Sequence, residues 1–464
     1  MSSPRFHPYE EDIDGQSPNR NLAPVSAEVD AEQQLWVGGC RLADLAAHYG
    51  TPLYVLDETT LRAGCRAYRH ALTRHYPGES LVLYASKAHS SLAMAALMAS
   101  ERLGLDAVSS GELLTALAGG VNPRNIVLHG NNKSGGELEL ALEHGVTVVL
   151  DNWWELDLLE RLCGQREQRV RLLIRFTPGI ECHTHEYIRT GHLDSKFGFD
   201  LEELDAVLQR LALAPWAEVA GLHAHIGSQI FELQPHGDLA AVMVKALGRA
   251  RALGHQPRDL NVGGGLGVRY VASDDPPAIA AWVQTVSAAV VAACHQQDHH
   301  QPLPRLLCEP GRSLVATAGV TLYRVGSRKE IPGVRTYVAV DGGMSDNPRP
   351  ITYQSRYTAC LPQRCRDAAT ETVTVAGKHC ESGDVLLHHV PLPPVASGDL
   401  LAVFATGAYN ASMASNYNRI PRPAAVLVHG GQARLVQRRE TNQDLLHWDV
   451  LPEHLDQSGP VPIR

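Results

Sequence analysis

Leu81-Val82-Leu83-Tyr84-Ala85-Ser86-Lys87-Ala88-His89-Ser90-Ser91 is the stretch on which the fold turns. Five mostly apolar residues read as a buried strand, and Lys87 stands just past its end. Ser90 and Ser91 then open a helical run, Leu92 to Arg102, where a serine hydroxyl can cap free N–H groups. A lysine at that junction sits where a buried sheet delivers its strand ends to a pocket. Desolvation there is expected to lower its pKa, and a neutral amine can attack a carbonyl or form a Schiff base.

The same strand-then-helix rhythm runs outward from this stretch. Strand-like runs fall at Leu81–Ala85, Leu105–Val108, Asn125–His129, Val146–Leu150, Val170–Phe176, Val219–Ile226, Asp259–Val262 and Arg305–Cys308. Helical runs lie between them, among them Glu112–Ala118, Glu137–Glu143, Trp154–Leu162, Leu201–Leu211, Asp238–Leu253 and Ile279–Cys294. Alternation implies a parallel sheet, and eight such units imply a closed (β/α)8 barrel, with an open doubly wound sheet as the alternative. After about Ala318 the pattern turns to β-like runs separated by Gly- and Pro-rich turns: Val320–Val325, Thr336–Val340, Thr372–Val375, Leu400–Phe404 and Ala424–Val428. The fold class is therefore α/β plus all-β, a (β/α)8 barrel followed by an antiparallel β-sandwich or barrel domain. The expected organisation is a flexible tail over 1–27, a segment over 28–57 that adds a strand to the β-domain, a barrel over 58–318 and a C-terminal β-domain over 319–464.

Composition narrows the function. The net charge is −9, which gives no reason to expect a nucleic-acid or anionic-membrane partner. Nine cysteines without CxxC pairs fit reduced thiols and a cytoplasmic location better than a disulfide framework. No apolar run approaches the roughly 18 residues of a membrane span. The first thirty residues match neither a secretory nor a transit peptide.

In a barrel, chemistry collects where strands end. Polar residues follow nearly every strand here: Lys87, Asp106, His129-Gly-Asn-Asn-Lys, Asp151-Asn152, Arg175, His225-Ile-Gly-Ser-Gln, Gly263-Gly-Gly-Leu-Gly and Glu309-Pro-Gly-Arg. The run Gly263–Gly267 lacks the third glycine of a dinucleotide fingerprint, since that position is Val268. After a seventh strand its backbone can instead present N–H groups to a phosphate, with the Ser228 hydroxyl nearby. Glu309, across the site from Lys87, can hold a proton on a pyridine nitrogen and make the ring an electron sink. His225 can stack on a flat ring or take protons. His223 with His225, and His183 with His185, form HxH pairs that could bind zinc. A lysine amine plus a phosphate loop suits a cofactor better, so no metal is expected.

Tyr84-Ala-Ser-Lys-Ala, His225-Ile-Gly-Ser-Gln, Gly263-Gly-Gly-Leu-Gly and Glu309-Pro-Gly-Arg together resemble the fold type III pyridoxal-phosphate decarboxylases. The finer resemblance is to the diaminopimelate decarboxylase family. It rests on His129-Gly-Asn-Asn-Lys-Ser, Thr184-His-Glu-Tyr-Ile-Arg-Thr-Gly, Asp194-Ser-Lys-Phe-Gly, Asn347-Pro-Arg-Pro, Cys380-Glu-Ser-Gly-Asp and Gly407-Ala-Tyr-Asn-Ala-Ser-Met-Ala-Ser-Asn-Tyr-Asn. It covers about Leu35 to Val428. His89 departs from the family's usual Asn, and the N-terminal tail lies outside the pattern.

The resemblance implies pyridoxal 5'-phosphate as cofactor, with Lys87 holding it, Asp106 among its contacts, His225 on the ring and Glu309 at its nitrogen. It places Ser228, Gly263, Gly264, Gly265, Gly267, Gly311, Arg312 and Tyr409 around the phosphate. It places Arg312, Arg349, Tyr353, Glu381 and Tyr409 around the substrate, and Cys380 as proton donor. It also implies meso-diaminopimelate as substrate, lysine and carbon dioxide as products, and a homodimer whose Cys380 loop completes the partner's site. Decarboxylation of ornithine, arginine or carboxynorspermidine, and racemisation, are alternatives on the same fold. Glu309 disfavours a racemase, which in this fold favours an arginine at the ring nitrogen. A metal-dependent barrel hydrolase using the HxH pairs is the distant alternative.

Overall fold

A computed structural model describes residues 17–180, 195–297 and 302–455. Eight parallel strands close a barrel: β1 (Ser80–Ala85), β2 (Gly104–Ala107), β3 (Ile126–Leu128), β4 (Thr147–Leu150), β5 (Val170–Thr177), β6 (Ala217–His223), β7 (Asp259–Asn261) and β8 (Arg305–Cys308). Closure comes from β8 pairing with β1, Leu306 opposite Ser80, so no edge remains between them. Leu83, Val127, Val149, Leu173, Ala220 and Leu307 form one small buried cluster, drawn from six of these strands. That apolar floor is why the polar strand ends gather above it rather than within the barrel.

The intervening helices start as their sequences dictate. Ser91 accepts from the Met94 amide at 3.2 Å, Asn152 from the Glu155 amide at 3.0 Å, and Ser134 forms a capping box with Glu137. Each helix therefore begins immediately after the loop that carries site residues. The helix Ile279–Gln297 is long and apolar enough to cross a bilayer on composition, contrary to the expectation from sequence. It packs instead as an outer barrel helix, burying Trp282, Val286 and Val290, with Trp282 edge-on to Tyr68.

The second domain is built on the long strand Gly319–Ile331. It pairs antiparallel with Leu53–Asp57, Arg335–Val340 and Leu400–Phe404. The N-terminal strand Leu53–Asp57 thus joins this sheet, as the sequence suggests. Two pairings correct the expectation of an antiparallel sheet: Leu53–Asp57 runs parallel to Ala424–His429, and Arg335–Val340 parallel to Glu371–Ala376. The sheet is mixed and mostly antiparallel.

The expected flexible tail to Ala27 also needs correction from Ser17 onward. Asn19 is fully buried, and its Nδ2 donates to Gly267 O at 3.0 Å and to Pro277 O at 2.9 Å. Pro18 O accepts from the Thr317 hydroxyl, and the Ser17 hydroxyl accepts from the Ile279 amide. The Asn19 amide and two hydroxyls dock this strap together with the buried Pro18, Pro24 and Ala27, and its polar anchors leave little sign in hydropathy. Residues 1–16 lie outside the described residues. Asn19→Ala leaves two buried carbonyls short of a donor, a loss of about 1–3 kcal/mol. The thermal midpoint should fall by several degrees with activity at 25 °C retained; an unchanged midpoint would show that the strap contributes no stability.

Candidate functional site

The strand ends enclose a cavity of about 280 Å³. Lys87, Asp106, His129, Arg175, His223, His225, Ser228, Gly264, Gly265, Glu309, Gly311, Arg312, Arg349, Tyr353 and Tyr409 all line it. Among the residues expected from sequence, Gly263, Gly267, Cys380 and Glu381 do not. Gly263 sits behind the wall, with φ +66° and its amide on Asn261 Oδ1 at 3.0 Å. Gly267 lies against Phe231, where a Cβ would come within 2.3 Å of the ring, and its carbonyl takes the Asn19 amide. The glycine run thus divides into a cavity-facing pair and two structural positions.

Lys87 lies in a short 3-10 turn, Ser86–Ala88, and its side chain is accessible at the cavity. Desolvation by the surrounding protein pulls its pKa down, but Asp106, the Tyr409 phenol and Glu309 outweigh this, and the net shift is upward. This corrects the expectation of a lowered pKa. The charges around the lysine, not its desolvation, decide its state in the protein alone. Asp106 is buried, burial raises its pKa, and its Oδ1 has no hydrogen-bond partner. Its nearest ion-pair contact is His129 Nε2 at 3.9 Å.

Glu309, just beyond β8, is buried and accepts three hydrogen bonds: from His129 Nε2 at 2.8 Å and Asn261 Nδ2 at 2.6 Å on Oε1, and from His223 Nε2 at 3.0 Å on Oε2. Burial alone would push this carboxyl up, but the electrostatic attraction of the His129 and His223 rings, together with the hydrogen bonds they donate, holds it well below the usual range. His223 itself is pulled down to about 3 by burial, so it is neutral and donates as an N–H dipole. The two members of the His223–His225 pair diverge: His223 faces Glu309, while His225 Nδ1 accepts from the Gly264 amide at 3.2 Å. His183 and His185 lie outside the described residues. His129, His223 and Glu309 nevertheless bring three possible ligand atoms within 4.8 Å of one another.

The outer wall is cationic and aromatic. Arg312 donates to the Ser228 hydroxyl at 3.0 Å and to the Tyr270 hydroxyl at 2.7 Å, with its guanidinium 4.8 Å from the Tyr409 ring centroid. Arg349 opens the short helix Arg349–Tyr353 and lies 5.3 Å from the Tyr353 ring centroid. It is buried, it donates to Ser355 Oγ, and its Nε has no partner. Burial would lower its pKa, but Tyr270, Tyr357 and Tyr409 outweigh this and the guanidinium stays charged. Tyr409 itself is held at φ +60° by its amide bond to Ala88 O at 2.7 Å, which ties the two domains together beside Lys87.

Cys380 and Glu381 are exposed, in the loop between Glu371–Ala376 and Val385–Leu392. Buried Asp384 fixes that loop, accepting from the Met344 and His379 amides and from His379 Nδ1 at 2.7 Å. The Cys380 amide is held by Asn418 Oδ1 at 2.9 Å. The loop is therefore preformed, and neither Cys380 nor Glu381 lines the cavity of its own chain. His129, His223 and Asn261 received no role at the ring nitrogen from sequence. Their signal was there: each is a polar residue at or just past the end of a barrel strand.

These residues fit a phosphorylated pyridine cofactor. Asp106 Oδ1 is an orphaned buried acceptor at the cavity. Gly264 makes a tight backbone wall, since a Cβ there would come within 2.3 Å of Glu309 O. Residues 58–316 match the family model "Pyridoxal-dependent decarboxylase, pyridoxal binding domain". Barrel, cavity and match together define a pyridoxal-phosphate-dependent decarboxylase. A diaminopimelate decarboxylase of Synechocystis sp. is 54% identical over 447 residues, 95% of each chain. One from Bacillus subtilis is 47% identical over 90% of this chain and 95% of its own. The solved diaminopimelate decarboxylase from M. jannaschii, in complex with L-lysine, matches with TM-score 0.86 at 33% identity, over 93% of this chain and 99% of that one. The chain belongs to the diaminopimelate decarboxylase family, carboxy-lyases of lysine biosynthesis, which displaces the racemase and metal-hydrolase alternatives.

Borohydride treatment of protein loaded with pyridoxal phosphate should fix the cofactor to one peptide, the one that contains Lys87. Lys87→Ala protein should give no reduced adduct; an adduct on another lysine would relocate the site.

Proposed function

We propose that this cavity decarboxylates meso-2,6-diaminopimelate to lysine, in sites completed across a homodimer. The observation that carries the proposal is the polarity of one cavity. Lys87, Asp106 and Glu309 line it together, with His129 Nε2 within 3.9 Å of both carboxyl groups, and two buried arginines, Arg312 and Arg349, line it as well. The solved relative that holds L-lysine supports the same assignment of product.

Bound pyridoxal phosphate supplies an electron sink for the pair left when carbon dioxide departs. Lys87 offers the amine that retains the cofactor. Asp106 lowers the cost of charge on that amine. Glu309, as a carboxylate, would accept a hydrogen bond from the ring N–H, and His225, oriented by the Gly264 amide, would cover the ring face. The Gly264, Gly265 and Gly311 backbone, with Ser228, Arg312 and Tyr409, surrounds the phosphate. Gly263 and Gly267 hold that backbone in place from behind.

Substrate selection falls to the outer wall. The unpartnered Nε of Arg349 is a buried donor suited to a carboxylate, which arginine can engage by forked hydrogen bonds. Tyr353 flanks it. Ornithine or lysine would leave that guanidinium unpaired and buried, which is costly. A second chain supplies Cys380 to return a proton to the alpha carbon and Glu381 to pair the distal ammonium. The preformed, exposed loop supports this reading, since neither residue lines the cavity of its own chain.

Carbon dioxide release should be at least about a hundredfold faster, per kcat/KM, for meso-diaminopimelate than for ornithine, arginine or lysine. Arg349→Leu should lose most of that preference. Comparable kcat/KM for ornithine in the wild type would remove the specificity assignment and leave the decarboxylase class.

Lys87→Ala and Cys380→Ala proteins should each be nearly inactive alone. Refolded together, their heterodimers contain one site free of both substitutions and should regain up to half the wild-type activity per heterodimer. Heterodimers that form without activity would place Cys380 in its own chain's site.

A further inference from the structure

Glu309 is unusual among the cavity residues in the number of strands that fix it. A carboxylate has about four acceptor positions, two on each oxygen. Three are filled here, and each donor ends or follows a different barrel strand: His129 follows β3, His223 ends β6 and Asn261 ends β7. His129 and Asn261 fill Oε1 at 2.8 and 2.6 Å, and His223 takes one position on Oε2 at 3.0 Å. The fourth position, on Oε2, remains. Asn261 also anchors the start of the glycine loop: its Oδ1 accepts the Gly263 amide at 3.0 Å, while the Glu309 amide donates to Gly263 O at 2.7 Å. The carboxylate and the start of the glycine loop are thereby fixed to one another by a single side chain and one backbone bond.

We propose that His129, His223 and Asn261 are positioning residues that keep Glu309 ionised and leave one acceptor position, on Oε2, for the N–H of the cofactor's pyridine ring. The inference rests on the role given to Glu309 above. A buried carboxylate with three donors is stabilised as the anion; one that loses a donor becomes more basic, is free to rotate, and takes up a proton itself. A protonated Glu309 cannot hold a pyridinium. His223 is suited to the task because its neutral ring donates through Nε2 while its Nδ1, buried and without a partner, makes no competing demand. His129 and His223 meet edge to face at 4.7 Å, which fixes both rings against rotation.

The test is the protonation state of the ring nitrogen in the holoenzyme, read by 15N NMR with ring-labelled pyridoxal phosphate, alongside kcat and KM for diaminopimelate. Wild type should show the pyridinium signal, and Glu309→Gln the neutral-pyridine signal. His129→Leu, His223→Leu and Asn261→Ala should each move the signal toward neutral pyridine, lower kcat about tenfold or more and leave KM within about twofold. His129→Gln keeps an N–H donor and should restore both signal and kcat, which a purely structural role for the ring would not do. If a leucine variant fails to fold, Asn261→Ala carries the same test through the second donor on Oε1. Pyridinium signals in all three donor variants, with Glu309→Gln neutral, would overturn this inference and leave the role of Glu309 standing. A pyridinium signal in Glu309→Gln would overturn both. Stoichiometric zinc held by the wild type and lost in His129→Leu would overturn the inference by giving the three ligand atoms another occupant.

Discussion

The structure depends on one negative charge kept where water does not reach it. A buried carboxylate such as Glu309 is tolerated only when its lone pairs are met by donors. Those donors come from strands three, six and seven of the barrel, so the charge exists only when the barrel has closed. Closure also brings Lys87, past the first strand, to the same cavity, where the charges of Asp106 and Glu309 raise its pKa despite desolvation by the protein around it. The fold therefore holds an ammonium and two carboxyl groups in one small cavity, an arrangement that favours a ligand carrying both a reactive carbonyl and a basic ring nitrogen.

The two domains contribute differently. The barrel supplies fixed polar groups at strand ends. The β-domain supplies Arg349, Tyr353 and Tyr409, which close the outer wall. Tyr409 is held in a left-handed backbone conformation by a hydrogen bond to the residue after Lys87, so wall and lysine are set by one contact. The same domain exposes Cys380 and Glu381 on a loop pinned by Asp384. A loop so fixed is suited to meeting another surface as it stands.

Much of this was legible in the sequence because its signals are local. Alternating apolar runs and capped helices located all eight barrel strands, and polar residues past those strands marked the cavity. What was not legible depends on long-range placement. The strand Val385–Leu392 carries His388, His389 and Pro391 and breaks the alternation that marks a strand. Asn19 is polar yet fully buried, because its partners are carbonyls some 250 residues away. The sign of the Lys87 pKa shift follows from which charges the fold brings near it, and residue type alone gave the wrong direction. His223 read as half of a metal-binding pair, but the strand ends at His223, so His225 lies beyond it and takes a different partner.

The central claim is that Glu309 acts on the electrons released with carbon dioxide rather than on substrate capture. Steady-state kinetics of Glu309→Gln, with cofactor content matched to wild type, test it most directly. The account predicts a kcat lowered at least about a hundredfold, with KM for diaminopimelate changed by no more than about threefold. An unchanged kcat, or a loss confined to KM, would contradict it.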